Sequence, residues 1–166
     1  MRYHLLVSKA FTSEETPGPV SPAREPPRVQ PGEVRYVTPE GCAALRAELE
    51  RLRAPGGARD QEQARRASFL EGTLAALTVL GPDRVPEGEV GFGTWVAVED
   101  GEGRRSVWRL VGPDEVDVPR GAVSALSPLG QALMGRSVGE TVEVQRPGGA
   151  RGYTIREVHR QRPADP

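Results

Sequence analysis

The 166-residue chain is short of several residue types, and each shortage excludes a class of protein. One cysteine, Cys42, rules out an internal disulfide and a zinc site built from cysteines. No apolar run approaches the roughly 20 residues of a membrane span, and the first residues lack the apolar core of a signal peptide. The formal net charge is only -1, without the positive excess of a dedicated nucleic-acid-binding protein. We therefore expect a cytoplasmic protein with no membrane partner.

Proline and glycine, in contrast, are abundant, with 16 and 20 copies. Six of the prolines fall between residues 12 and 33, among Ser, Thr, Glu and Gly. A segment with so few large apolar groups cannot offset its ordering entropy. We predict a disordered, proline-rich tail at residues 1–36 and a disordered end at 161–166. A linker is the simpler interpretation of the tail, and a proline-rich ligand for a partner is the alternative.

The pattern from residue 37 to residue 82 predicts two helices joined by a turn. Thr38, Pro39 and Glu40 form a helix start, because each satisfies or exploits the unpaired N–H groups there. Apolar residues then recur at steps of three and four, first up to about Ala54 and again between residues 59 and 80. The Pro-Gly-Gly run at 55–57 ends the first helix. We predict a short antiparallel helical hairpin packed as a coiled coil.

The period changes after residue 82, which indicates an α+β domain at 83–160. Alternating apolar and polar residues predict antiparallel strands at 94–98, 106–111, 141–145 and 152–158. Glycine-rich turns link the first pair and the last pair of strands. Between the pairs, Ser127 and Pro128 begin a helix that Gly135 stops, and this helix covers one face of the sheet.

The sequence matches catalytic and ligand-binding motifs only incompletely. The run at 135–139 has the letters G-x-S-x-G, but a helix precedes it and a strand follows, the reverse of a hydrolase elbow. His159 has no acid or nucleophile assigned to it, so a surface role is the simpler interpretation. Carboxylates at 114, 115 and 117 form a conceivable cation site, although such turns are usually just solvated. Trp95, Trp108 and Tyr153 fit either a ligand pocket or a core.

Several motifs together resemble the Gre family of bacterial transcript elongation factors. These are V-T-P-E-G-C-A-A-L-R-A-E-L-E-R-L at 37–52, F-G-T-W-V at 92–96, L-V-G-P-D-E-V-D at 110–117 and, most specifically, S-A-L-S-P-L-G-Q-A-L-M-G at 124–135. The resemblance spans about residues 37–159. It implies a coiled coil followed by an FKBP-like domain that docks at the rim of the RNA polymerase secondary channel. The run S-K-A-F-T at 8–12 resembles the beginning of some GreB-like proteins, which makes Val7 a candidate start.

The resemblance carries over to individual residues only in part. Ser127, Pro128 and Leu129 match the family's polymerase-docking loop. Cleavage factors carry an acidic, Asn-containing hairpin tip beside the catalytic magnesium, but this chain has no asparagine. Its tip offers Arg59, Asp60 and Glu62 instead. A short coil without a cleavage tip is similar to the nucleoside diphosphate kinase regulator type of Gre relative.

We therefore expect a regulator of transcription elongation that binds RNA polymerase at the secondary channel and does not stimulate transcript cleavage. It would have no catalytic residue, metal or cofactor, and would meet DNA or RNA only within the transcription complex. One alternative is a factor that stimulates cleavage through Asp60 and Glu62. The other alternative is an FKBP-like domain that binds or isomerises proline.

Overall fold

The computed structural model describes residues 34–57 and 60–163 and has a mixed α+β architecture. The helices and strands, in chain order, are β1 (Arg35–Val37), α1 (Pro39–Arg53), α2 (Gln61–Ala76), β2 (Leu77–Val79), β3 (Trp95–Asp100), β4 (Arg105–Val111), β5 (Ala122–Ser124), α3 (Pro128–Leu133), β6 (Thr141–Arg146) and β7 (Gly149–His159). Residues 1–33 and 164–166, where we predicted most of the tail and the end, lie outside the described residues. Among those described, no helix is long and apolar enough to cross a membrane.

The predicted start and end of α1 are confirmed. The Thr38 side chain accepts a hydrogen bond from the Gly41 N–H at 3.0 Å, and Pro39 occupies the first turn. The helix ends at Arg53, and the N–H of its C-cap, Ala54, donates to the Glu50 carbonyl oxygen at 3.0 Å. Local capping chemistry therefore accounts for why both boundaries could be predicted from the sequence.

The apolar stripes of α1 and α2 pack against each other. They form a cluster of buried residues, with partly buried ones around it: Val37, Cys42, Leu45, Leu49 and Leu70, then Leu52, Ala67, Leu74 and Leu77. Two ion pairs also join the helices, Arg53 with Glu71 and Arg66 with Glu48. Both pairs span 18 residues, and they lie on opposite sides of the apolar stripe. Arg53 and Glu71 each follow a stripe leucine, whereas Glu48 and Arg66 each precede a stripe residue. This placement fits two antiparallel helices, and the coiled-coil description stays a prediction.

Two short strands flank the helices and correct the sequence analysis. Arg35 and Tyr36, which we assigned to the tail, belong to β1, and residues 77–79, which we assigned to the second helix, form β2. The two strands pair in parallel, with Val37 opposite Val79. The leucine spacing favoured a continued helix through Leu77, but Thr78 and Val79 are β-branched and fit a strand. The pairing connects residues about 40 apart, so no local pattern reveals it.

The remaining strands form one sheet in the order β5-β4-β3-β7-β6. The four predicted strands are present with slightly wider bounds, and they pair antiparallel as predicted. The sequence analysis did not predict β5, which adds to β4 in parallel, so the sheet is not antiparallel throughout. The core lies between the sheet and α3, and its fully buried members include Val96, Val98, Leu110, Leu133 and Ile155.

Candidate functional site

The loop before α3 holds the three residues matched to a docking loop. Ser127 is the N-cap of α3: its Oγ accepts from the Gly130 N–H at 3.1 Å and donates to the Ser124 carbonyl oxygen at 2.7 Å. The Ser124 Oγ accepts from the Leu126 N–H at 3.1 Å. These bonds use both hydrogen-bonding roles of the Ser127 hydroxyl inside the loop. Ser127 therefore shapes the loop, and its neighbours supply the surface.

Those neighbours have opposite environments. Pro128 is exposed in the first turn of α3, whereas Leu129 is buried in the core at 9% exposure. Leu126, which the sequence analysis did not select, is 63% exposed. Gly130 lies so close to the Ser124 carbonyl oxygen that a Cβ would overlap it. The loop thus presents Leu126 and Pro128 to solvent on a base anchored by Leu129.

The hairpin tip offers little to a metal ion. Asp60 is the N-cap of α2, and its Oδ1 accepts from the Gln63 N–H at 2.8 Å. Glu62 is exposed in the first turn of the same helix, and Arg59 lies outside the described residues. In the part of the chain that the structure describes, no group of three or more His, Cys, Asp or Glu side chains is placed to hold a metal. The Asp60 carboxylate is engaged in holding the helix end.

The charged groups behind the tip are paired across the two helices. A hydrogen bond from Arg66 lowers the pKa of Glu48, and the same bond raises the pKa of Arg66. Both side chains are partly exposed, so the pair adds only modestly to stability. Within the described ranges, no hydrogen bond or ion pair joins the tip residues Asp60 and Glu62 to the α3 loop. The structure therefore keeps the two predicted site regions separate.

The acidic turn after β4 joins the sheet to the start of α1, a role that the sequence analysis missed. We call this set of contacts the clasp. Asp114 receives a bidentate hydrogen bond from Arg35, and both side chains are almost fully buried. The Glu115 carboxylate accepts from the Thr38 N–H at 2.8 Å and from the Thr38 hydroxyl. Asp117 instead caps its own turn, accepting from the Arg120 N–H at 3.2 Å. The three carboxylates have separate partners and do not converge on a cation site.

Further contacts fix the start of α1 against the sheet. Partial burial, the largest single effect, opposes ionisation of Glu40, but the hydrogen bond from Arg109, a backbone hydrogen bond and the positive charge of Arg109 together lower the pKa of Glu40. The Arg109 Nη2 to Glu40 Oε2 distance is 2.7 Å. The Tyr36 and Phe92 rings lie 6.1 Å apart, and a Cβ at Gly112 would overlap the Tyr36 carbonyl oxygen. These contacts together orient the helices relative to the sheet. The clasp residues are Arg35, Thr38, Glu40, Arg109, Asp114 and Glu115.

The weaker candidates have structural roles. Tyr153 is buried in the core, whereas Trp95 lies on the opposite face of the sheet, so the three aromatic residues do not form one pocket. Residues 135–139 connect α3 to β6, with Gly135 and Gly139 at positive φ, which is a turn and not a hydrolase elbow. His159 Nε2 lies 2.9 Å from the Glu157 carboxylate at the surface.

Comparison with known proteins places these features in a family. Residues 85–160 match the family model described as Transcription elongation factor, GreA/GreB, C-term. The chain is 43% identical over 110 residues to transcription elongation factor GreB of Yersinia pestis, covering 66% of this chain and 64% of that protein. It is 33% identical over 148 residues to GreB of Pseudomonas aeruginosa, covering 74% and 88%.

The match to several relatives is partial in length. The chain spans 64% of the Yersinia pestis protein and 60% of GreA from Neisseria meningitidis. Among solved structures, GreA factor homolog 1 of Thermus thermophilus is similar at 26% identity and a TM-score of 0.41, covering 76% of this chain and 99% of that one. The family model and the relative matched over most of both lengths agree, and the chain belongs to the GreA/GreB family of transcription elongation factors.

Proposed function

We propose that this chain binds bacterial RNA polymerase at the rim of the secondary channel and regulates elongation without stimulating transcript cleavage. The α3 loop is the docking element, and the two helices direct towards the channel a hairpin end that lacks the acidic cleavage motif. Family membership supports a role in elongation, and the loop and the tip support the finer parts of the proposal.

The observation that carries the docking part is the contrast within the loop. Leu126 is 63% exposed beside an exposed Pro128, while Leu129 and the Ser127 cap hold both in place. An exposed leucine on a pre-formed loop is typical of a contact that buries apolar surface without an ordering cost. The interaction we propose is therefore mainly apolar at its centre.

The groups at the tip support the part of the proposal that excludes cleavage. Asp60 and Glu62 are two positions apart on one helix end, so their side chains diverge. Asp60 also satisfies a backbone N–H, and turning it towards a metal would leave that donor unpaired. Two carboxylates that cannot converge are poor ligands for a shared ion. This tip is what we expect of a relative resembling the nucleoside diphosphate kinase regulator type.

Two alternatives differ from this proposal in measurable ways. A cleavage factor would release short RNA from a stalled complex and lose that activity when Asp60 and Glu62 are both changed to alanine. An FKBP-like isomerase would accelerate proline isomerisation in a test peptide. The latter gains no support from the described residues, because Trp95, Trp108 and Tyr153 do not line one pocket.

The test combines binding and cleavage in one reconstituted system. Host polymerase core is stalled in a backtracked complex with magnesium, and the full chain is added alone and against a cleavage-competent Gre factor. We expect binding, competition and no RNA release. The Leu126→Asp variant should lose competition, whereas Val138→Asp, at an exposed valine outside the loop, should retain it. Equal competition by both variants would refute the loop as the docking element.

A further inference from the structure

A cleft lies on the sheet face that α3 does not cover. Trp95 alternates with the buried Val96 and Val98 along β3, so its ring lies on the face opposite the core. Beside it the surface opens into a cleft of about 410 Å³. Its lining residues include Trp95, Trp108, Arg105, Pro119, Arg120 and Arg162. We call it the tryptophan cleft.

The Trp95 wall of the cleft is held in place by two arginines. The Arg162 guanidinium lies 5.3 Å from the Trp95 ring centroid, and that of Arg109 lies 5.7 Å from it. Arg109 is itself fixed by Glu40 and by the Gly93 carbonyl oxygen. An aromatic wall held by cation–π contacts is pre-organised for a ligand that packs against its edge.

The cleft is also basic. Three of its lining residues are arginines and none is acidic. Arg105 is paired with Glu99 at 3.3 Å and Arg120 with Asp117 at 3.5 Å, and both arginine side chains are at least 70% exposed. Exposed pairs of this kind contribute little, so their arginines remain available to another carboxylate. Tryptophan, proline and arginine together favour an acidic peptide that contains proline.

The chain itself carries such a peptide outside the described residues. The run E-E-T-P-G-P at 14–19 places two carboxylates directly before two prolines. Fourteen residues separate it from Val34, enough to span up to about 50 Å when extended. The contacts from Glu40 through Arg109 to Trp95 put the cleft close to the start of α1. Tethering on this scale gives an effective concentration of about a millimolar.

We propose that the tryptophan cleft binds the chain's own acidic, proline-containing run at residues 14–19. Glu14 and Glu15 pair with Arg105 and Arg120, and Pro17 and Pro19 pack against Trp95. The proposal is independent of polymerase binding, because the cleft and the α3 loop share no residue. The segment shields an aromatic, basic surface that a second acidic peptide would otherwise occupy.

The two tryptophans of the chain both line this cleft, but Trp108 also packs against the core, so a change in intrinsic fluorescence of the folded chain reports mainly on Trp95. We would measure acrylamide quenching of the full chain and of the E14K/E15K/P17A variant. We expect quenching to increase about twofold in the variant, because a tethered weak ligand is mostly bound and its loss exposes the Trp95 indole. The matched control is E50K/E143K, which changes two exposed carboxylates on α1 and β6 and should quench like the unmodified chain.

Charge exchange makes the test specific. R105E/R120E alone should increase quenching, and combining it with E14K/E15K should restore protection. Far-ultraviolet circular dichroism of each variant separates loss of docking from loss of fold. Unchanged quenching in folded E14K/E15K/P17A would overturn the proposal. Protection that disappears on dilution would also overturn it, because it would assign the cleft to a second copy.

Discussion

Residues 126 and 129 are leucines three positions apart with opposite surroundings. We predict that Leu129→Ala lowers the free energy of unfolding by about 2–5 kcal/mol, because it leaves a cavity in the core. Leu126→Ala should change stability by less than about 0.5 kcal/mol. It should nevertheless weaken polymerase binding by about tenfold, as loss of a central apolar contact does. Urea unfolding and competition binding on the same two proteins separate these effects.

The clasp contains a buried ion pair, Arg35 with Asp114. Asp114→Ala leaves the guanidinium buried without its partner, and we expect a loss of about 3–5 kcal/mol in the free energy of unfolding. Replacing both residues, as R35M/D114L, should recover most of that loss, because no charge is then left unpaired. The exposed Asp83 provides the matched control, since Asp83→Ala should be nearly neutral. If thermal unfolding shows that the loss of stability in R35M/D114L equals the sum of the losses in the two single variants, this account is contradicted.

Asp100 gives the β3–β4 turn a dependence on pH. Its Oδ1 accepts from the backbone N–H groups of Glu102 and Arg104, each at 3.0 Å. The bond from the Arg104 N–H, opposed by partial burial and aided by the Arg104 side chain, lowers the pKa of Asp100 below its ordinary 3.8. A carboxylate whose pKa is lower in the folded state than in the unfolded state stabilises the fold at pH values above the unfolded-state pKa. That stabilisation is lost as the pH falls through the folded-state pKa.

We therefore predict that the stability advantage of the natural chain over Asp100→Asn is largest at neutral pH and shrinks below about pH 3.8. Thermal unfolding of the two proteins from pH 7 to pH 2.5 checks this. If the stability advantage over Asp100→Asn grows as the pH falls, a group other than Asp100 controls the pH dependence.

At the scale of elements, the start of α2 tests the assignment of Asp60 as a cap. Asp60→Ala should cost about 0.5–2 kcal/mol of stability, because the Gln63 N–H loses its acceptor. Asp60→Asn, which also caps helices well, should cost far less. Neither change should alter RNA cleavage in a stalled complex. A cleavage activity that falls in both variants would identify Asp60 as a functional carboxylate.

The elements also show what a sequence can and cannot predict. Caps and turns act locally, so Thr38, Ser127 and Gly135 marked helix boundaries that the structure confirms. Strands β1, β2 and β5 are three residues each, and each is stabilised by a partner strand more than ten positions away along the chain. A three-residue run carries too little periodicity to be recognised alone. The same holds for the clasp, where Arg35 and Asp114 are 79 positions apart.

For the molecule as a whole, the clasp joins the family's helical part to its sheet domain. Glu115 completes hydrogen bonds at the first turn of α1 from the opposite side of that junction. The position of the tip relative to the α3 loop therefore depends on contacts that no single element contains. The candidate docking residues followed from the resemblance, but the exposure of Leu126 and the burial of Leu129 required the packed core.

The central claim is that this chain docks on polymerase and leaves the transcript uncut. The most direct test is the stalled-complex assay with magnesium, with the full chain added alone and against a cleavage-competent Gre factor. We predict that it suppresses cleavage by the competitor in proportion to its concentration and releases no RNA by itself. RNA release by the chain alone, abolished in the D60A/E62A variant, would contradict the account.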